Sequence, residues 1–346
     1  MPYDLVVIGA SAGGVEALKK LVSVLPEDLP AAVLVVLHVP PYGGSVLPAI
    51  LDRAGPLPAR HAGSGDATVA GQILVAPPDH HLFVEDSHAL LTRGSRENGH
   101  RPAVDVLFRS AARARGTSVI SVVLSGVLDD GTAGAVAVRQ HGGLVLVQDP
   151  EDASYPAMPE SVLAHLTPDY MGSAGELGQL IDKLCRVGTD GEQAVGTSAE
   201  QPAAELIDTE LGMAVLSDQV HDTPDRPGSP AGFSCPDCAG TLFEIYDGGL
   251  TRYRCRVGHA WSPESLLGEQ ALALESALWM ALRSLEEKAT LARQLATGAV
   301  SRGSRLSAGR FAAQAEDADR AAKSIRRLLE SAPGTYKVPT AEADGY

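Results

Sequence analysis

Ser11, His38 and Asp130 each stand just after a separate aliphatic run, and together they are the residue types that acyl transfer requires. A serine hydroxyl becomes nucleophilic when an adjacent base takes its proton, and the base works best when a carboxylate fixes its tautomer. Ser11 lies in Gly9-Ala10-Ser11-Ala12-Gly13-Gly14, between Leu5-Val6-Val7-Ile8 and a helix pattern. A glycine-rich turn of this kind can cradle a pyrophosphate on helix amides, or present a nucleophile where those amides stabilise an oxyanion. Two departures weigh against a dinucleotide site. Ser11 replaces the second glycine of G-x-G-x-x-G, and the second run ends in His38 where a ribose-binding acid is wanted. Both departures suit a hydrolase. A further run, Val119–Leu124, leads into Ser125-Gly126-Val127-Leu128-Asp129-Asp130-Gly131 and supplies two carboxylates. The amides of Ala12 and Gly13 are the expected oxyanion donors. Acyl transfer by these groups calls for no cofactor.

A second cluster has different chemistry. Cys235-x2-Cys238, sixteen residues, then Cys255-x3-His259 offers three thiolates and one imidazole. Four such ligands complete a tetrahedral zinc shell and leave no open coordination position, which is the pattern of a structural site. Tyr253, Arg254 and Arg256 around the third ligand suggest a ribbon hairpin.

The elements that must place these groups follow from periodicity. Leu5–Ile8, Val33–Leu37, Ile73–Val75, Val119–Leu124 and Leu144–Val147 are short, nearly all apolar and rich in β-branched residues. Strands buried on both faces of a parallel sheet read this way. Helix patterns lie between them, so the fold class is α/β, a doubly wound, mostly parallel, Rossmann-like sheet. Strand carboxyl ends share one edge of such a sheet, which lets residues 11, 38 and 130 converge. The expected organisation is a catalytic domain over 1–185 and a linker with a short helix over 186–232. A zinc ribbon over 233–261, a helical hairpin over 262–333 and a tail over 334–346 follow. Ser262 and Pro263 form a helix start, with the serine as N-cap. Leu267, Leu274, Leu278, Leu282 and Leu285 recur along the first hairpin helix, and Phe311, Ala315, Ala318, Ala322, Ile325 and Leu329 along the second. No docking face for this C-terminal part is visible, so it reads as a tether on a flexible linker.

Composition narrows the function classes. The chain has 346 residues and a formal charge of −15, which argues against binding a phosphate backbone, since that needs a basic face. No secretory signal and no apolar run near the roughly 20 residues of a membrane helix is visible. A cytoplasmic protein without membrane insertion is expected.

The motifs GASAGG, His38-Val39-Pro40-Pro41, Ala76-Pro77-Pro78-Asp79-His80-His81, Arg101-Pro102-Ala103-Val104-Asp105-Val106-Leu107-Phe108, SGVLDDG, and Gln148-Asp149 to Met158-Pro159 occur in that order. Over about residues 4 to 185 the chain resembles the catalytic domain of the chemotaxis protein-glutamate methylesterases, the CheB family. The resemblance implies Ser11 as nucleophile, His38 as general base then acid, and Asp130 as the orienting carboxylate. Asp129 is left to solvent. It also implies methyl-accepting chemoreceptors, or a related signalling protein, as partners, and either ester hydrolysis or glutamine deamidation as the reaction. His81 matches a position near the cleft, and the backbone of Val127 is a further oxyanion candidate. Arg101 and Asp105 are expected to pin a helix start. Two departures stand out. The turn before Asp130 carries Val127-Leu128 where the family has Met-Gly, and a leucine adopts a glycine-like dihedral only at a cost. The catalytic strand also begins near residue 4, so no receiver domain is expected ahead of it. A serine esterase with a substrate outside chemotaxis, and a non-catalytic zinc-containing signalling adaptor, are the alternative readings.

Overall fold

A computed structural model of the chain describes residues 3–187, 212, 228–247 and 249–331. It divides into two units, Met1–Ser265 and Leu266–Tyr346. Most of the linker expected over 186–232 lies outside the described residues, as does the tail over 334–346.

The first unit is built on a seven-stranded sheet. Its strands are β1 (Leu5–Ala10), β2 (Ala32–Leu37), β3 (Ala59–His61), β5 (Ile73–Val75), β8 (Val119–Val123), β9 (Leu144–Gln148) and β10 (Tyr170–Gly172). Their order is β10-β9-β8-β1-β2-β5-β3, and every pairing is parallel. Alternation along each strand divides the core in two. Val6, Ile8, Val33, Val35, Ile120 and Val122 face α1 (Gly14–Val22), α2 (Leu47–Ala54) and α6 (Ala174–Val187). Leu5, Val7, Leu34, Val36, Val119 and Val123 face α3 (Val104–Arg115), α4 (Thr132–Gln140) and α5 (Ala157–His165). Successive strand residues point to opposite faces, so an unbroken aliphatic run supplies both layers. The expected doubly wound α/β sheet is the observed one. Beside it, β4 (Asp66–Ala67), β6 (His81–Glu85) and β7 (His88–Thr92) form a small antiparallel sheet.

Within the same unit, β11 (Ser229–Ser234), β12 (Thr241–Asp247), β13 (Leu250–Cys255) and β14 (Ala260–Trp261) form a four-stranded antiparallel ribbon. It carries the cysteine cluster. The ribbon is not a free appendage, as the tether reading expects, but is packed on the catalytic fold. Leu250 joins an apolar cluster with Ala133 and Val136 of α4.

The second unit is a helical hairpin of α7 (Pro263–Ser301, whose first turn belongs to the first unit) and α8 (Arg305–Ser331). Ser262 Oγ accepts from the Ser265 amide at 3.0 Å, the N-cap the sequence suggests. Along α8, Ala315, Ala318 and Ala322 are buried at the expected spacing. Along α7 the stripe holds only in part: Leu282 is buried, whereas Leu267 and Leu274 are exposed. Among the described residues α7 has 39 residues and α8 has 27. Among the described residues no helix is long and apolar enough to cross a membrane.

Candidate active site

In the sheet order, β1 lies between β2 and β8, and the chain leaves it in opposite directions for the two halves. Ligands of open α/β sheets bind beyond the strand carboxyl ends at such a switch point. Ser11 follows β1, His38 follows β2, and Asp130 closes the loop after β8. The ladder continues past the strands: Ser11 donates its amide to Ser125 O at 2.9 Å, and His38 donates to Ala10 O at 3.1 Å. The three loops are therefore registered by backbone.

Their side chains form a relay. Ser11 Oγ lies 3.1 Å from His38 Nδ1, and His38 Nε2 lies 2.7 Å from Asp130 Oδ2. An ionised carboxylate only accepts, so Nε2 carries the imidazole proton and Nδ1 presents a lone pair to the serine hydroxyl. The Asp130 carboxylate is saturated with donors. Oδ2 also accepts from the Val104 amide at 2.7 Å. Oδ1 accepts from Asn98 Nδ2 at 3.1 Å, the Asp105 amide at 3.2 Å and the Gly131 amide at 3.1 Å. Two of these donors open α3, where the helix dipole favours negative charge. Burial by itself would raise the Asp130 carboxyl; the hydrogen bond and charge of His38, then His100 and the Val104 amide, hold it well below the usual carboxylate range.

Gly13 caps α1 at φ 71°, a left-handed conformation that suits glycine. A side chain there would also meet Ser125 Oγ at 2.6 Å. Among the described residues the Ala12 and Gly13 amides meet no protein acceptor, so both stay open beside Ser11. Leu128 takes the conformation that its sequence counts against, φ 61°. The carboxylate beyond it anchors the turn regardless, with Asp130 bound at both oxygens.

Several sequence expectations change. Asp129 is not solvated: it is buried, and Oδ1 accepts from Ser262 Oγ at 2.7 Å and Ser265 Oγ at 2.8 Å. Burial raises its carboxyl above the usual range. His81 is fully buried and does not open to a cleft. Its Nε2 meets Ser95 O at 3.0 Å and its Nδ1 accepts from the Ala103 amide at 3.2 Å, leaving no ring atom for a substrate. Desolvation lowers it to about 4 and keeps it neutral. Asp105 pins the start of α4, accepting from Gly131 at 3.0 Å and Gly134 at 2.7 Å. Burial, then the neighbouring Asp130 charge, pushes its carboxyl up to about 7. Arg101 instead bonds Asp79 and the carbonyls of Arg93 and Gly94, away from any helix start.

Two site residues escape the sequence reading. His100 stacks on His38 with ring centroids 3.7 Å apart, and burial, then the His38 charge, lowers it to about 3. A neutral ring on the His38 imidazole adds packing without a competing charge. Asn98 bonds Asp130. Both lie in Glu97-Asn98-Gly99-His100, where the Asn-Gly pair is a turn signal.

The same loop receives the ribbon. Asn98 donates its amide to Ala260 O at 2.8 Å, and its Oδ1 accepts from the Ser262 amide at 2.9 Å. Glu97 is buried where Arg109 (2.5 Å), Arg254 (3.0 Å) and Arg252 (3.5 Å) converge on its carboxylate. Burial would raise the Glu97 carboxyl; Arg109 first, then Arg254 and Arg252, overcome it and hold the group well below the usual range. Removing one partner from a buried charge cluster costs about 3–5 kcal/mol, so Glu97→Ala should lower the denaturation midpoint of this unit sharply. Because the folded carboxyl is depressed, its contribution is complete above the unfolded pKa near 4.3 and is lost as pH falls below it. The gap between wild type and variant should therefore narrow in acid; a gap independent of pH from 3 to 7 would reject the charge explanation.

Cys235, Cys238, Cys255 and His259 have ligand atoms all within 4.8 Å of one another. Cys238 Sγ lies 3.6 Å from Cys255 Sγ, and Cys255 Sγ lies 3.5 Å from His259 Nδ1. A tetrahedron with metal–sulfur bonds of about 2.3 Å has edges of roughly this length. The donor set fits a structural metal.

Comparison with known proteins agrees with the fold. A family model described as CheB methylesterase matches residues 6–181. A Methanosarcina mazei relative named protein-glutamate methylesterase/protein-glutamine glutaminase 2 is 36% identical over 192 residues, 53% of this chain and 52% of that protein. The chain thus spans about half the length of that relative. A Leptospira interrogans relative is 32% identical over 185 residues, covering 53% of this chain and 96% of its own length. The Thermotoga maritima CheB methylesterase catalytic domain superposes with a TM-score of 0.52 at 32% identity, over 53% of this chain and all of that one. The match runs from β1 into α6 and contains the whole Ser11–His38–Asp130 edge: the chain belongs to the CheB methylesterase family.

Proposed function

We propose that this chain hydrolyses glutamyl methyl esters on chemoreceptor helices, with Ser11 as nucleophile, and deamidates receptor glutamines by the same route. The observation that carries the reading is the continuous relay from Ser11 Oγ through His38 to Asp130. His38 Nδ1 takes the serine proton as Oγ bonds to the side-chain carbonyl carbon. The oxyanion sits on the open amides at Ala12 and Gly13, with Val127 as a further donor. The imidazolium returns its proton to the leaving methoxide, and methanol departs. Water then repeats the sequence on the acyl-enzyme, giving glutamate and free serine. With an amide substrate the leaving group is ammonia. Asp130 holds the Nε2–H throughout and stabilises the imidazolium. The test is methanol release from a receptor-helix fragment carrying glutamate methyl esters; an active, folded chain that releases none overturns the reading.

The metal at Cys235, Cys238, Cys255 and His259 is read as zinc, in a structural role within a cytoplasmic protein. The full set of four protein ligands supports this. Purified protein is expected to hold one zinc per chain by elemental analysis. Replacing Cys235 and Cys238 with serine should abolish it and open the ribbon to protease, because the binding energy of a structural site is folding energy. Protein purified without chelator and free of zinc would reject the assignment.

A further inference from the structure

The ribbon and the relay meet at one loop, residues 95–100. His259, a ligand in the metal cluster, stands three positions before Ser262. Between them, Ala260 and Trp261 form β14, and Ala260 is bridged by backbone to the 96–98 loop. The fully buried Trp261 ring lies against Gly99, where an added Cβ would stand 3.7 Å from it. Ser262 then grips both sides of Asp130. Its amide donates to Asn98 Oδ1, while Asn98 Nδ2 donates to Asp130 Oδ1. Its hydroxyl donates to Asp129, the residue preceding Asp130. On the far side of the ligand turn, Ser95 Oγ donates to Val257 O at 2.7 Å. A metal ligand and the catalytic carboxylate are thus three residues and two hydrogen bonds apart.

We propose that the ribbon is a positioning element for the catalytic relay: Ser262 holds Asn98 and the Asp129 turn so that Asp130 meets His38, and metal at the cysteine cluster keeps Ser262 in place. The inference rests on the esterase reading for its rate readout, and on backbone exchange for a readout that does not depend on it. A buried Asn98 or Asp129 deprived of its ribbon donors must find others or move, and small shifts in a catalytic constellation cost rate rather than affinity. The ribbon therefore sets turnover without touching substrate.

The test uses the full chain. Stripping metal with a chelator should speed amide hydrogen exchange at Asn98, Val104, Asp105 and Gly131, while amides of β1, β2 and β8 stay protected. Turnover of a small soluble ester should fall about ten- to a hundredfold in kcat, with KM nearly unchanged. Ser262→Asp separates positioning from simple helix capping. Aspartate caps as well as serine, so a capping role predicts normal turnover, whereas a second carboxylate facing Asp129 should lower kcat. Ser262→Thr keeps the hydroxyl and should recover the rate. Unchanged exchange and unchanged kcat after metal removal would overturn the proposal, as would a fully active Ser262→Asp enzyme. If that variant does not fold, the metal-stripped wild type still decides. A wild type with no Ser11-dependent turnover would sink the esterase reading instead, and the exchange experiment would continue to judge the coupling.

Discussion

Ser11→Ala should reduce methanol release by roughly four to six orders of magnitude, and His38→Ala by a similar amount. Removing Oγ removes the acyl acceptor, and removing the imidazole leaves the hydroxyl protonated. In either case only binding and the amides at the α1 N-terminus remain to favour the oxyanion. The two losses should not add in the double variant, since nucleophile and base act as one unit. Circular dichroism should stay that of wild type, because Ser11 is only partly buried and, among the described residues, its hydroxyl bonds to His38. A Ser11→Ala enzyme retaining more than about a tenth of the rate would remove serine as nucleophile.

Asp130→Asn should cost on the order of ten-thousand-fold, and the structure gives the reason. Both carboxylate oxygens face only donors: His38 Nε2 and the Val104 amide on one, Asn98 Nδ2 and the Asp105 and Gly131 amides on the other. Whichever way an asparagine turns, its NH2 group meets at least two of them. Facing His38, it forces the tautomer that points N–H at Ser11 and leaves no lone pair for the hydroxyl. Facing the α3 N-terminus, it gives up three charge-assisted bonds. Asp129→Asn differs, because an amide oxygen can still accept from Ser262 and Ser265. Its effect should be a few-fold at most. Rates on a small ester, measured beside thermal melts, decide the ranking, and the reverse order would move the orienting role to Asp129.

The choice between these adjacent aspartates shows what the sequence could and could not carry. Both are strand-end carboxylates with nothing in their neighbours to separate them. The family resemblance assigns Asp130 to the relay, and the expectation that Asp129 is solvated fails because its partners, Ser262 and Ser265, lie more than 130 positions away. The expectation that His81 lies near a cleft fails for a related reason. A histidine pair after a turn reads as polar surface or cleft, and only packing reveals that one ring is fully enclosed between Ser95 and Ala103. Loss of its charge is the consequence of that enclosure.

What the sequence alone determined are the properties that repeat locally. Aliphatic runs specified a parallel sheet, the glycine turn specified a serine above it, and the cysteine spacing specified a four-ligand cluster. Each is written within a few residues, because strand period, turn dihedrals and ligand spacing are short-range constraints. Tertiary structure alone decided what covers what. It stacked His100 on His38, set Asn98 against Asp130, and seated the ribbon on the 95–100 loop rather than leaving it on a tether. Those contacts join Glu97 to Arg254 and Asn98 to Ser262 across more than 150 positions. They are made by single polar side chains with no period to betray them, and a buried carboxylate or amide finds its partner only when the chain has folded around it.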